Sequence, residues 1–158
     1  MKLNRFLPGQ TILEVLIATA LIAISIIAAL SLNNSSQKTS SYSRDLNSAT
    51  TYNNQVIDWL RNLRTQMGWA SLTSELVADG SNPLTYCLNS LPTTPAEFSS
   101  LSGGSCAVDD FLPGTIFTRQ AEIDLDNLPN SIYVIVTTSW QSNIEHSTTT
   151  EATLTNGW

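Results

Sequence analysis

A continuous apolar run near the amino terminus constrains this chain more than any other feature. Residues 11–32 read TILEVLIATALIAISIIAALSL and contain one charged residue, Glu14, and neither glycine nor proline. These 22 residues match the length of about 20 that a helix needs to cross a lipid bilayer. Because a lone segment in lipid satisfies its backbone polar groups only as an α-helix, the sequence predicts a membrane-competent helix over residues 10–32.

The short segment before this run is basic. Lys2 and Arg5 are its charged residues, and positive charge beside a membrane helix favours the cytoplasmic side. The sequence therefore predicts a cytoplasmic amino terminus, with the rest of the chain beyond the membrane. A secretory signal peptide is one alternative, but the run exceeds the roughly 7–15 apolar residues that are usual for one.

Glu14 argues against a second alternative, a plain membrane anchor. A carboxylate inside an apolar helix costs on the order of 2.5–3.5 kcal/mol on insertion scales. Its place near the cytoplasmic end lets the side chain reach toward the interface and lowers that cost. An anchor would still be more stable without it, so Glu14 indicates a role beyond anchoring.

Residues 9–14, Gly-Gln-Thr-Ile-Leu-Glu, together with the apolar run behind them, resemble the class III signal of type IV prepilins and type II secretion pseudopilins. The resemblance implies that a prepilin peptidase cuts after Gly9, removes residues 1–9 as a leader and methylates the new amino terminus at Gln10. It also implies that Glu14 pairs with the terminal amine of a neighbouring subunit and sets the register of assembly. Gln10 departs from the family pattern, in which Phe or Met is usual.

Helical spacing continues beyond the apolar run, and no glycine or proline occurs between Gly9 and Gly68. The steps alternate between four and three, which places the residues on one helix face; they are Tyr42, Leu46, Ala49, Asn53, Val56, Leu60, Leu63 and Met67. The sequence predicts one helix from Gln10 to Met67 that ends at Gly68. Its second half is expected to pack on a domain through this face, with residues 33–43 exposed.

The remainder of the chain changes from loop to strand patterns. Residues 68–114 show weak periodicity, with a short helix or turn near Trp69 and loops marked by proline and glycine. Alternation then predicts three strands, at residues 115–125, 132–140 and 146–156. An antiparallel meander of these strands would cover the helix, so the predicted fold class is α+β with a globular domain over residues 33–158.

This order of long helix, connecting loop and meander is the pilin architecture. Residues 115–154 also resemble, more loosely, the minor pilins of the type IV pilus modification class, in which an alternating strand ends in Trp and a Thr/Leu strand follows a turn. The fold that the resemblance implies is therefore pilin-like.

Two cysteines, Cys87 and Cys106, lie within the connecting region. Outside the cytoplasm they are expected to form a disulfide, worth roughly 3 kcal/mol for a loop of this size. Two unpaired buried thiols are the alternative. The sequence has no metal-ligand spacing around these cysteines, and no metal or cofactor is predicted.

The charge and motif content disfavour several function classes. The net charge is -6 and the acidic residues are scattered, so nucleic-acid binding through a basic patch is not supported. No phosphate loop, zinc-protease motif or nucleophile elbow is present, and His146 is the single histidine; the chain is not expected to be an enzyme. The acidic segments 109–110 and 124–126 carry oxygen ligands that suit calcium, although turn formation is the expected role.

Together these features predict a structural subunit of a type IV pilus, most consistent with a minor pilin. Its expected partners are the prepilin peptidase and methyltransferase, other pilin subunits, an inner-membrane assembly platform and membrane lipid. It would be a single-pass protein of the cytoplasmic membrane before it enters an extracellular or periplasmic filament. The alternatives are a type II secretion or competence pseudopilin and, in another class, a membrane-anchored extracellular binding module that uses a Trp- and Tyr-bearing face.

Overall fold

The structure, a computed structural model, describes residues 8–107, 109–142 and 144–157, with side chains from residue 12 onward. Its helices and strands in chain order are α1 (Pro8–Met67), α2 (Trp69–Ala78), β1 (Leu84–Cys87), α3 (Pro95–Ser99), β2 (Phe117–Asp124), β3 (Ser131–Gln141) and β4 (Glu145–Thr155). The chain divides into two compact units, Met1–Arg44 and Asp45–Trp158. The predicted α+β class is confirmed.

In the first unit α1 has no core to cover. Every side chain from Ile12 to Arg44 is exposed. The hydroxyls of Thr19 and Ser25 donate to the carbonyls of Leu16 and Leu21, at 3.0 and 2.8 Å. Because these polar groups are satisfied within the helix itself, the apolar run is a self-contained helix whose outer surface is almost entirely hydrocarbon.

In the second unit the same helix buries one face. The buried positions follow the predicted spacing and include Ala49, Asn53, Val56, Leu60 and Leu63. The ends of the predicted face are less buried, since Leu46 and Met67 are only partly covered and Tyr42, in the first unit, is exposed. The helix therefore contributes a stripe to the core over about four turns.

Helix α1 ends where the sequence predicts. Gly68 adopts φ 80°, a left-handed conformation that glycine reaches without a steric penalty and that commonly terminates helices. Helix α2 begins at the next residue and buries Leu72 and Leu76. The chain thus turns at one glycine and adds a second helix to the same core.

A four-stranded antiparallel sheet, in the order β1-β2-β3-β4, covers the buried helix face. Strands β2, β3 and β4 are the predicted meander, with Ala121 opposite Val136 and Val136 opposite Thr150. Strand β1 extends the meander at its edge by pairing Leu84 with Ile123. The residues that alternate toward the core are nearly all apolar on β1, β2 and β3, which explains the one-sided burial.

The core of this unit has a main cluster and a smaller one. The main cluster joins α1, α2, α3 and all four strands. The smaller cluster consists of Ala49, Leu112, Phe117 and Trp140, with the rings of Phe117 and Trp140 at 5.7 Å. The long connecting region, predicted mainly as loop, therefore supplies β1, α3 and Leu112 to the packing.

Candidate assembly site

The predicted processing junction lies at the beginning of α1. Gly9 and Gln10 have helical backbone there, whereas most of the leader, residues 1–7, lies outside the described residues, as does the side chain of Gln10. Cleavage after Gly9 and methylation of Gln10 stay predictions from the sequence.

Glu14 lies within the first two turns of α1 and is exposed. Its neighbours Leu13, Val15 and Ile17 are 59%, 61% and 53% exposed, so the carboxylate is set in an apolar surface. Among the residues that the structure describes, Glu14 has no hydrogen-bond or ion-pair partner. The carboxylate is thus an exposed acidic group within an apolar helix surface.

The apolar surface around Glu14 extends over the whole circumference of the helix. Its large exposed side chains are Ile12, Leu13, Val15, Leu16, Ile17, Leu21, Ile22, Ile24, Ile26, Ile27, Leu30 and Leu32. A soluble monomer rarely exposes a contiguous apolar surface of this size. Within the described chain, α1 contains the one segment that is long and apolar enough to cross a membrane.

The two cysteines are joined, as predicted. Cys87 at the end of β1 and Cys106 in the following loop form a disulfide, with their Cα atoms 4.7 Å apart. The nearby Asn89 accepts a hydrogen bond from the Arg119 backbone N–H at 2.7 Å and donates through Nδ2 to the Asp110 carbonyl. The disulfide and the Asn89 side-chain amide together hold the loop before β2 against the sheet.

One carboxylate lies close to this disulfide. The Asp110 carboxylate and both sulfurs lie within 4.8 Å of one another, the one such group of cysteine, histidine or acidic side chains in the described part of the chain. A cysteine binds metal as a thiolate, and both sulfurs are held in the disulfide. In the disulfide form this cluster therefore offers no thiolate to a metal ion.

Arg119 is a buried cation that the sequence analysis did not single out. It is 3% exposed, and its Nε donates to the Leu88 carbonyl at 2.8 Å while Nη1 donates to the Tyr52 carbonyl at 3.0 Å. Burial lowers the pKa of Arg119 to about 10, so the guanidinium stays charged at neutral pH. The available signal was the inward alternation of β2, between Phe117 and Ala121.

The acidic turn between β2 and β3 uses its carboxylates for local bonds. Asp124 accepts from the Asp126 backbone N–H at 2.8 Å, and Asp126 accepts from Asn82 Nδ2 at 2.7 Å. Asn82 Oδ1 in turn accepts from the Leu125 N–H at 3.0 Å. These bonds tie the segment before β1 to the turn, as expected of Asp and Asn side chains in turns.

Trp69 and Tyr86, two residues that a Trp- and Tyr-bearing binding face could use, take part in the packing of the second unit. Tyr86 is buried and donates its hydroxyl to Asp79 at 3.0 Å; burial, reinforced by this bond, raises the pKa of Tyr86. Trp69 is partly buried and donates to the Pro129 carbonyl at 2.8 Å. His146 stacks on Trp140 with ring centroids 5.4 Å apart. Trp158 lies outside the described residues.

Comparison with known proteins adds no family assignment, because no family model, curated protein or solved structure matches the chain. The functional argument therefore depends on the residues and on the geometry described above.

Proposed function

We propose that this chain is a structural subunit of a type IV pilus, with the character of a minor pilin. It would be processed after Gly9 and assembled by lateral packing of the apolar half of α1. The observation that carries the proposal is Glu14, an exposed carboxylate with no described partner in an otherwise apolar helix surface.

The energetics favour assembly over simple anchoring. In lipid an isolated carboxylate is a net cost of several kcal/mol, and an anchor gains nothing from it. In a bundle of helices from several copies, the terminal ammonium of a neighbour would pair with Glu14 and offset the desolvation of both charges. Such a pair forms at one axial offset only, so it selects the register of the incoming subunit.

The second unit supports the proposal by its construction. α1 continues from the apolar run into the core beneath a four-stranded meander, the arrangement that the pilin resemblance implies. Trp69, Tyr86, Phe117 and Trp140 are engaged in its packing, which gives less support to the alternative of a binding module with a Trp- and Tyr-bearing face.

Processing is tested by mass spectrometry of the mature chain, expressed with and without an active prepilin peptidase. The expected product starts at Gln10, with one added methyl group when the methyltransferase activity is present. A Gly9→Leu variant is the control and is expected to keep residues 1–9. An intact leader on the unmodified chain, with the peptidase active, would contradict the proposal.

The role of Glu14 is tested with Glu14→Ala, and Ser25→Ala serves as a control on the same helix. Coupling energies of close charge pairs start near 1.5 kcal/mol, so we expect incorporation into filaments to fall at least about tenfold. Membrane insertion of both variants is expected to be unchanged or improved. Normal incorporation of Glu14→Ala would show that the carboxylate does not set the register.

A further inference from the structure

The basic residues of this chain are concentrated on one element. After the leader, all basic residues except the buried Arg119 lie on α1; they are Lys38, Arg44, Arg61 and Arg64. The four strands contain no lysine and, apart from Arg119, whose side chain faces the core, no arginine; the one histidine, His146 on β4, stacks on Trp140. The charged side chains on the outward face of the sheet are therefore all acidic, without the interspersed positive charges of a mixed surface.

The strand register gathers part of this acidity into one patch. Glu122 on β2 lies opposite Ile135 on β3, and Ile135 lies opposite Glu151 on β4. In the next row Asp124 lies opposite Tyr133, whose hydroxyl donates to Glu151. We call these five residues the sheet patch. With strands about 4.8 Å apart, two carboxylates flank one isoleucine at about 10 Å from each other.

The composition of the sheet patch is that of a docking surface. Ile135 and Tyr133 are half-buried and form an apolar centre, and the carboxylates form its charged rim. Interfaces commonly combine an aromatic or apolar centre with a polar rim. Like charges in such proximity repel one another, so a cation placed between them is favoured.

The chain itself carries the complementary surface in residues 33–44. Every residue of this helical segment is exposed, and it contains Lys38 and Arg44 but no carboxylate. Of the other two cations on α1, Arg61 pairs with Asp58 at 3.1 Å and the partly buried Arg64 donates to the Thr155 carbonyl at 2.9 Å. Arg44 donates to the Ser41 hydroxyl on its own helix at 3.2 Å. Within the described residues, Lys38 and Arg44 have no carboxylate partner.

We propose that the sheet patch of one copy docks residues 33–44 of a second copy, with Lys38 and Arg44 against Glu122 and Glu151. The two surfaces differ, so the contact is heterologous, and repetition of a heterologous contact produces an open helical array. The inference rests on the proposed function, because it names the partner of a filament subunit's outer face. The apolar helix would supply most of the buried area, and the charges would supply specificity.

Zero-length cross-linking tests the contact, because Lys38 is the one lysine that remains after the leader. Two full-length copies are co-expressed in membranes, one with Lys38→Gln and the other with Glu122→Gln and Glu151→Gln. A carbodiimide then joins amines to carboxylates. Any amide between Lys38 and Glu122 or Glu151 must link different copies, and its peptide is identified by mass spectrometry of the dimer band. We expect this cross-link; its absence, or linkage of Lys38 only to other carboxylates, would overturn the proposal.

Charge reversal provides a second test of the same contact. Glu122→Lys with Glu151→Lys is expected to lower incorporation at least about tenfold, and a co-expressed copy with Lys38→Glu and Arg44→Glu is expected to restore it. Glu75→Lys with Asp109→Lys, the same charge change at exposed positions off the sheet, is the control and should incorporate normally. Equal loss in the control, or no rescue, would count against the contact.

The two proposals fail in different ways. Copies that are cut after Gly9 and incorporated, but show no Lys38 cross-link to the sheet patch, would leave the pilus assignment standing and remove this contact. An uncut chain that still shows the cross-link would leave this contact standing and remove the pilus assignment. If Lys38 and Arg44 bind anionic lipid instead, the cross-link is absent and charge reversal of the patch has no effect.

Discussion

At the scale of single residues, the most informative side chain in the core is Asn53. It is fully buried on the helix face, yet all of its polar atoms are used. Oδ1 accepts from the Thr138 hydroxyl at 2.6 Å, and Nδ2 donates to the Thr148 carbonyl at 3.0 Å and the Thr150 hydroxyl at 3.3 Å. A hydrogen-bonded amide in this position fixes how the helix sits on β3 and β4, since apolar contacts alone are not directional.

Replacing Asn53 by leucine is expected to destabilise the second unit by about 1–3 kcal/mol, because the Thr138 hydroxyl is left buried without its acceptor. The double variant Asn53→Leu with Thr138→Val removes both partners and is expected to recover part of that loss. Urea unfolding followed by tryptophan fluorescence measures both. A single variant as stable as the original chain would show that the network contributes nothing net.

Arg119 is a buried, hydrogen-bonded cation that the sequence analysis did not identify. A strand pattern identifies inward positions, but a charged residue at one of them reads as a break in the pattern. Its acceptors come from α1 and from the residue after β1, which are 67 and 31 positions away along the chain. Only the assembled fold brings these two carbonyls and the Gln55 side-chain oxygen to one guanidinium.

At the scale of elements, α1 is one helix with two environments. Residues 12–44 are exposed throughout, and from Ala49 onward the sheet covers one face. The spacing of apolar residues predicts this change, because an all-round apolar helix and a striped helix bury different fractions of their surface. The predicted end of the helix at Met67 is also confirmed, because Gly68 supplies the terminating conformation.

Two leucines on this helix give a matched pair. Leu60→Ala removes a fully buried side chain and is expected to cost about 2–5 kcal/mol of unfolding free energy. Leu30→Ala, at a position 63% exposed, is expected to leave thermal unfolding of the second unit unchanged while weakening membrane partition. Thermal unfolding in detergent and vesicle flotation measure the two effects. Equal destabilisation by both variants would contradict the division of the helix.

Strand β1 is the one strand of the described sheet that the sequence did not predict. It has four residues, LTYC, and follows Pro83 within a region of weak periodicity. Such a run is too short to show alternation reliably. Its stability comes from pairing with β2, more than 30 residues later, and from the disulfide at Cys87. The sheet therefore has four strands and not the three of the predicted meander.

At the scale of the whole molecule, the chain consists of a bare helical unit and a packed unit that meet at Arg44 and Asp45. A helix without tertiary contacts is only marginally stable in water, so residues 33–44 are the segment expected to open most readily. All four tryptophans follow Arg44, and fluorescence therefore reports on the packed unit.

Brief trypsin treatment in detergent is expected to cut after Lys38 and Arg44 and to release a resistant fragment that starts at Asp45. Arg119 is buried and is expected to be cut only after the fragment unfolds, because proteolysis follows local opening. Mass spectrometry gives the cut sites, and fluorescence unfolding of the fragment should match that of the full chain. Early cleavage after Arg119 would contradict the packing described here.

The sequence by itself determined the features that depend on local spacing. These are the membrane-competent helix with its single carboxylate at Glu14, the helical stripe to Met67, and the alternating strands of the meander. The period and composition of the apolar residues suffice to predict them, because each helix or strand places its apolar side chains on a face that its own repeat defines. Only the tertiary structure decided the fourth strand, the bonds of Arg119 and Asn53, and the gathering of Glu122 and Glu151 on one face. Those features depend on strand register and on contacts between residues that are distant in the sequence. Such residues come together only when the chain folds.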